Sequence, residues 1–234
     1  MAITLFALSV LIAVLKKYRS LNELYLVIAA SAILMRSFER SMVALTNVYE
    51  VLLLMAFLIA LYNGLCRLKK IDPFHPVVLI IMSGSFYLPI VNQTVTEVSG
   101  ALRTPLLPIH VMLTVLGIVL LMIAGVLSLK HLINPLGTKF GKIHKLAKVG
   151  YLLWISGALL LGMIYAELSW GRFWGWDVKE TWSLLVTIYY GVYFHLFKIK
   201  NDKIRHIMLL VGFILIVFNL IGINYLFTGL HSYR

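Results

Sequence analysis

Long apolar runs separated by short basic stretches dominate the chain, and none of them alternates in the manner of a barrel strand. A helix that crosses a hydrocarbon core about 30 Å thick needs roughly 20 residues, and shorter runs serve where flanking cations snorkel. On that measure the pattern predicts eight spans, at about 2–15, 21–36, 47–66, 74–91, 105–129, 149–168, 181–198 and 206–226. The first, second and fourth are the shortest or most interrupted. A lipid-exposed open strand leaves its backbone polar groups unpaired, so the runs are read as helices. The expected fold is all-α, a polytopic transmembrane helical bundle of about eight spans forming one domain over residues 1–234. No internal repeat is visible. The opening run Ala2 to Leu15 has no basic segment before it and no small-residue cleavage site after it, so it is read as a retained span rather than a signal peptide.

The polar positions orient these spans. With both termini outside, the loops facing the cytoplasm hold fifteen Lys and Arg: Lys16, Lys17, Arg19; Arg67, Lys69, Lys70; Lys130, Lys139, Lys142, Lys145, Lys148; and Lys198, Lys200, Lys203, Arg205. The other side holds six, namely Arg36, Arg40, Arg103, Arg172, Lys179 and Arg234. That asymmetry is the positive-inside signature. It also explains the net charge of +12 without nucleic acid, because the cations flank apolar runs instead of forming one basic face. Composition agrees with membrane embedding: 61% of residues are hydrophobic, 13% are charged, and mean hydropathy is +0.94. The single cysteine, Cys66, rules out an internal disulfide, a CxxC pair or a thiolate zinc site within the chain.

One segment breaks the apolar pattern. The loop at 169–182 contains WGRFWGWDVKETW, with four of the five tryptophans, two glycines and Arg172, Asp177, Lys179 and Glu180. Tryptophan commonly marks the membrane interface, but such belts are scattered over many helix ends. Indoles concentrated in one loop offer flat apolar faces with a polar N–H edge, which suits a broad planar ligand at the membrane surface. The glycines permit close backbone approach, and Arg and Lys suit acidic substituents. The topology sends His110, at the start of span five, and His231, after span eight, to this same outer face. Each alone is more often solvated than ligating; paired imidazoles beside a tryptophan platform match the axial ligation of haem. His195 lies inside span seven, about 21 Å along the helix from Thr181, and an ionisable group at that depth is either a functional group or a hydrogen-bonded structural one. His75, His131, His144 and His206 fall among lysines and are read as solvated or headgroup-facing. Asn47, Tyr49 and Glu50 open span three, as caps or as polar support for the site.

These residues together resemble the CcsA/ResC family of the system II cytochrome c maturation pathway, within the tryptophan-rich (WWD motif) haem-handling membrane proteins. WGRFWGWDVKETW is similar to the family's signature, LPIHVML and GLHSYR carry its outer histidines, YFHLFK its intramembrane histidine, and TNVYEVLL an earlier helix start, over roughly residues 45–234. Val178 stands where the family often has proline. The resemblance implies haem b held outside by His110 and His231 against Trp170, Trp174, Trp176, Asp177 and Trp182. It implies a second haem position inside the bilayer, ligated by His195 and by a companion Ccs1/ResB-type subunit. The implied reaction attaches haem to the CxxCH thiols of apocytochrome c, kept reduced by a thiol reductase, as part of a cytochrome c synthase. The implied location is a bacterial inner membrane, or a thylakoid, with the active face away from the cytoplasm. A haem exporter without ligation activity is the alternative, and a non-catalytic docking factor is a third reading.

Overall fold

The structure, a computed structural model, describes residues 19–43, 45–68, 104–135, 140–196 and 201–227. Among them every regular element is helical, and the helices are α1 (Arg19–Arg40), α2 (Val48–Leu68), α3 (Leu106–Ile133), α4 (Phe140–Trp170), α5 (Val178–His195) and α6 (Asp202–Leu226). The expected spans 2–15 and 74–91 lie outside the described residues, as does His231. Four helical stretches are long and apolar enough to cross a membrane: Val48–Cys66, Leu106–Ile133, Phe140–Trp170 and Asp202–Gly222. The less apolar α5 carries Lys179, Glu180 and three tyrosines. The chain divides into two compact units, 1–98 with 233–234, and 99–232.

In the first unit the TNVYE segment starts α2. Asn47 Oδ1 accepts the Glu50 amide at 2.9 Å, while Glu50 accepts from the Thr46 amide at 2.7 Å and the Thr46 hydroxyl at 2.9 Å. These bonds satisfy amides that the first helical turn cannot pair itself. Glu50 is fully buried and also meets Arg36 of α1 at 3.3 Å, with the Arg36 guanidinium 4.9 Å from the centre of the Tyr49 ring. A buried carboxylate is costly unless its lone pairs are filled, and here several donors fill them.

The second unit is a four-helix arrangement in which α3 and α5 each touch both α4 and α6. Without water to drive association, membrane helices pack through small residues and polar links. Both devices are present. A Cβ on Gly117 would sit 2.6 Å from the Trp154 amide nitrogen, so α3 and α4 meet backbone to backbone. Trp154 is buried and donates from Nε1 to Thr187 Oγ1 at 2.9 Å, and Tyr151 donates to the Thr187 carbonyl at 2.9 Å, joining α4 to α5. Tyr189 donates to the Met208 carbonyl at 2.8 Å, joining α5 to α6.

One helix departs from its expected limits. α4 begins at Phe140 instead of near 149, because Lys142, Lys145 and Lys148 stay exposed while Ile143, Ala147 and Gly150 turn inward, an amphipathic turn that hydropathy alone overlooks. α4 and α6 also widen into π-helical segments, Ile155–Leu161 and Phe218–Gly222.

Candidate functional site

The tryptophan segment hangs between two well-defined helix ends. α4 stops where Gly171 takes a left-handed conformation, φ +67°, and its amide closes on the Glu167 carbonyl at 2.9 Å. α5 starts at a capping box formed by Asp177 and Glu180. Glu180 Oε2 accepts the Asp177 amide at 3.2 Å and the Gly175 amide at 2.8 Å, so one carboxylate grips the backbone on both sides of Trp176. Between those two anchored amides Trp176 adopts φ +56°, a left-handed conformation costly for a bulky side chain. The result is an indole 71% exposed. Phe173, also exposed, stands on the same loop, and sequence reasoning had not marked it.

The indoles do not lie in one flat floor. Trp174 and Trp176 stand edge to face, 6.1 Å apart at 85°. Trp170 sets its edge against Tyr165 at 5.7 Å, and Trp182 packs on Phe218 of the second π segment at 4.7 Å. Below the loop, Lys179 donates to Asn224 Oδ1 at 3.2 Å and Asn219 donates to Ser183 Oγ at 3.3 Å, binding α5 to α6. Lys179 precedes the apolar part of α5, and desolvation lowers its ammonium to about 8 although Asp177 nearby opposes the shift. Replacing Glu180 with Ala removes both loop bonds and half of the capping box, a loss of about 1–2 kcal/mol in local stability. Faster proteolysis within 171–177 and a changed tryptophan emission are the expected readouts, with Gln retaining part of the protection. Unaltered cleavage in the Ala variant would show that the carboxylate is not the clamp.

His110 lies one turn into α3, where Nδ1 is 2.9 Å from the carbonyl of Gly157, inside the first π segment. A carbonyl only accepts, so Nδ1 carries the proton and Nε2 carries the lone pair. Gly157 has to be glycine for this approach, because a Cβ there would fall 2.4 Å from the Thr114 amide nitrogen. Tyr165 lies nearly parallel to the imidazole, at 5.6 Å and 8°. His110, Tyr165 and Trp170 thus form a continuous run of rings from α3 to the start of the tryptophan segment.

His195 is the last residue of α5, exposed, with Nδ1 2.8 Å from the Gly191 carbonyl one turn back. The same logic places its lone pair on Nε2. About 20 Å of helix separates it from Trp182, at 1.5 Å per residue. The remaining described histidines correct their expected exposure. His206 is fully buried, stacked on His131 at 4.2 Å and met edge-on by Phe140 at 5.0 Å, and neither of its ring nitrogens has a partner among the described residues. His144 Nδ1 lies 3.0 Å from the Tyr193 hydroxyl. His131, Phe140 and His206 come together from α3, α4 and α6, while His144 meets Tyr193 and Phe194 of α5, contacts that a reading of the neighbouring lysines could not foresee. His75 lies outside the described residues.

Whether this environment fits a haem can be judged from its chemistry. A histidine whose Nδ1–H is held by a carbonyl is prepared for ligation through Nε2. Trp174 Nε1 is buried with no partner among the described residues, and an indole N–H there can only donate, to an acceptor on a bound ligand. The residues present therefore fit the group.

Comparison with known proteins leads the same way. The family described as Cytochrome C assembly protein matches residues 45–231. "Cytochrome c biogenesis protein CcsA" of Chlamydomonas reinhardtii is 30% identical over 212 residues, covering 81% of this chain and 60% of that protein. The CcsA of Prochlorococcus marinus (strain MIT 9301) is 27% identical over 232 residues, covering 81% and 75%. "Protein NrfI" of Wolinella succinogenes is 31% identical over 173 residues, covering 66% of this chain and 19% of the much longer relative. The chain thus spans three fifths of the algal relative's length. With four membrane-crossing helices and these relatives, it is an integral membrane protein that belongs to the cytochrome c assembly protein family, alongside CcsA.

Proposed function

We propose that the protein delivers haem b across its membrane and supports its attachment to apocytochrome c, as one subunit of a cytochrome c synthase with a Ccs1/ResB-type companion. The observation that carries this reading is the matched preparation of two histidines. His110 and His195 stand on different helices, and each gives its Nδ1 proton to a glycine carbonyl, Gly157 or Gly191. A single such arrangement is common; two of them, near the tryptophan segment and about 20 Å away along α5, suit two haem positions.

In this reading the eight-span topology puts the tryptophan segment outside, on the periplasmic side of a bacterial inner membrane or in a thylakoid lumen. His110 and His231 hold the outer haem iron, with Trp170, Trp174, Trp176, Asp177 and Trp182 shaping the site. Asp177 acts through the cap it forms with Glu180. His195 would hold the inner position together with a ligand from the companion subunit. Bound haem b supplies two vinyl groups, across which the reduced CxxCH thiols of apocytochrome c add, each sulfur bonding to carbon as its proton passes to the neighbouring vinyl carbon. A thiol reductase keeps those cysteines reduced. This chain's own share is orientation: imidazoles with a fixed tautomer, a clamped loop, and apolar ring faces that exclude water.

Reconstitution tests the proposal. Complex with its companion in lipid, supplied with haem and a CxxCH peptide, should yield thioether-linked haem that survives denaturation. Haem carried across without a covalent product would replace synthesis with transport, and absence of co-purifying haem would favour a docking factor.

A further inference from the structure

Three links in a row join α5 to α6 just below the tryptophan segment. Lys179 donates to Asn224 Oδ1 at 3.2 Å, Trp182 packs on Phe218 at 4.7 Å, and Asn219 donates to Ser183 Oγ at 3.3 Å. Both asparagines are buried. On α5 the two hydrogen-bonded residues are four apart and share one face. On α6 the asparagines are five apart, and in a regular α-helix residues at that spacing point about 140° away from each other. The second π segment removes the mismatch. There the Ile223 amide bonds the Phe218 carbonyl five residues back, so one extra residue is taken up between Asn219 and Asn224 and both turn toward α5.

π turns are rare and concentrate at functional sites. This one is built from its own residues: Asn224 donates from Nδ2 to the Leu220 carbonyl inside the segment, and a Cβ on Gly222 would fall 2.6 Å from Cδ2 of Phe218, the ring on which Trp182 packs. The first π segment offers the Gly157 carbonyl to His110. The second sets α6 against the start of α5, and α6 is the helix that His231 follows in the sequence.

We propose that Lys179, Asn219 and Asn224 are positioning residues for the outer haem site: across the π segment they fix the rotation of α6 about its axis, and with it the direction in which the chain leaves Leu226. This rests on the haem reading and adds to it the device that aligns the second histidine ligand.

The test uses the complex with its companion subunit, loaded with haem b, in wild type and two paired variants, Lys179→Met/Asn224→Leu and Ser183→Ala/Asn219→Leu. Each pair removes both ends of one bond, so neither end is left as a buried unsatisfied group. Melting temperature and absorption spectrum are read on the same sample, and difference spectra against wild type cancel the inner haem. Each paired variant should convert the outer haem from a six-coordinate low-spin to a five-coordinate high-spin form and recover the low-spin form on adding imidazole. Each should also retain that haem roughly tenfold less well, the lower end of what a lost supporting bond costs a metal site. Asn224→Asp keeps an acceptor for Lys179 and should keep the wild-type spectrum. Wild-type spectra in both paired variants, whatever their melting temperatures, would overturn the proposal and leave the seam as helix packing alone. Absence of bound low-spin haem from the wild type would instead overturn the haem reading beneath it. If one paired variant fails to fold, the other decides by the same comparison.

Discussion

His110→Ala should empty the outer haem position and halt cytochrome c assembly while the protein still folds. The two halves of that expectation have separate physical grounds. The imidazole carries the Nε2 lone pair, prepared by the Nδ1–H bond to Gly157, and alanine supplies no lone pair in its place. Losing a ligand's hydrogen-bond partner alone costs roughly 10–100-fold in metal affinity, and losing the ligand should cost more. Folding is spared because the Gly157 carbonyl also accepts the Gly162 amide and is not orphaned when the imidazole goes. The stability change should therefore stay near the value of one ordinary hydrogen bond, about 1 kcal/mol. Thermal melting and haem content measured on the same preparation separate the two effects. A strong drop in melting temperature with unchanged haem content would make His110 a structural residue.

His195→Gly should lower haem occupancy at the inner position, with partial recovery on adding imidazole. His195 ends α5 on an exposed surface, and its recorded bond is to Gly191 in its own helix. Removing the ring leaves an opening at the surface instead of a core cavity, so a free imidazole can enter and present a nitrogen in its place. Glycine costs up to about 1 kcal/mol in a helix interior and less at a last residue that is already fraying. Spectra taken with and without imidazole, in the presence of the companion subunit, decide between a ligand and a solvated histidine. Indifference to both the substitution and the rescue would identify the latter.

Much of this was legible in the sequence because apolar runs and the concentration of indoles are properties of local composition. α2, α3, α5 and α6 fall where hydropathy placed them, within a few residues. The cap of α5 is legible too, since Asp177 and Glu180 have the spacing of a capping box. Contacts between helices were not legible. Nothing in Ile155–Leu161 announces a π segment whose Gly157 carbonyl faces α3, nor does Tyr165 announce that it stacks on His110. His206 shows the same limit from the other direction: its neighbours in sequence are charged, its neighbours in space are rings. The four indoles were legible as a cluster but not as rings set at steep angles, because orientation comes from the left-handed Trp176 and the packing of Trp182 on Phe218.

The most direct measurement is the absorption spectrum of the complex purified with its companion subunit, in wild type, His110→Ala and His231→Ala. A haem site with two histidine ligands predicts a low-spin spectrum in wild type, lost or converted to a five-coordinate high-spin form in each variant, with cytochrome c assembly lost in parallel. Unchanged spectra and unchanged assembly in both variants would contradict a haem held by this pair.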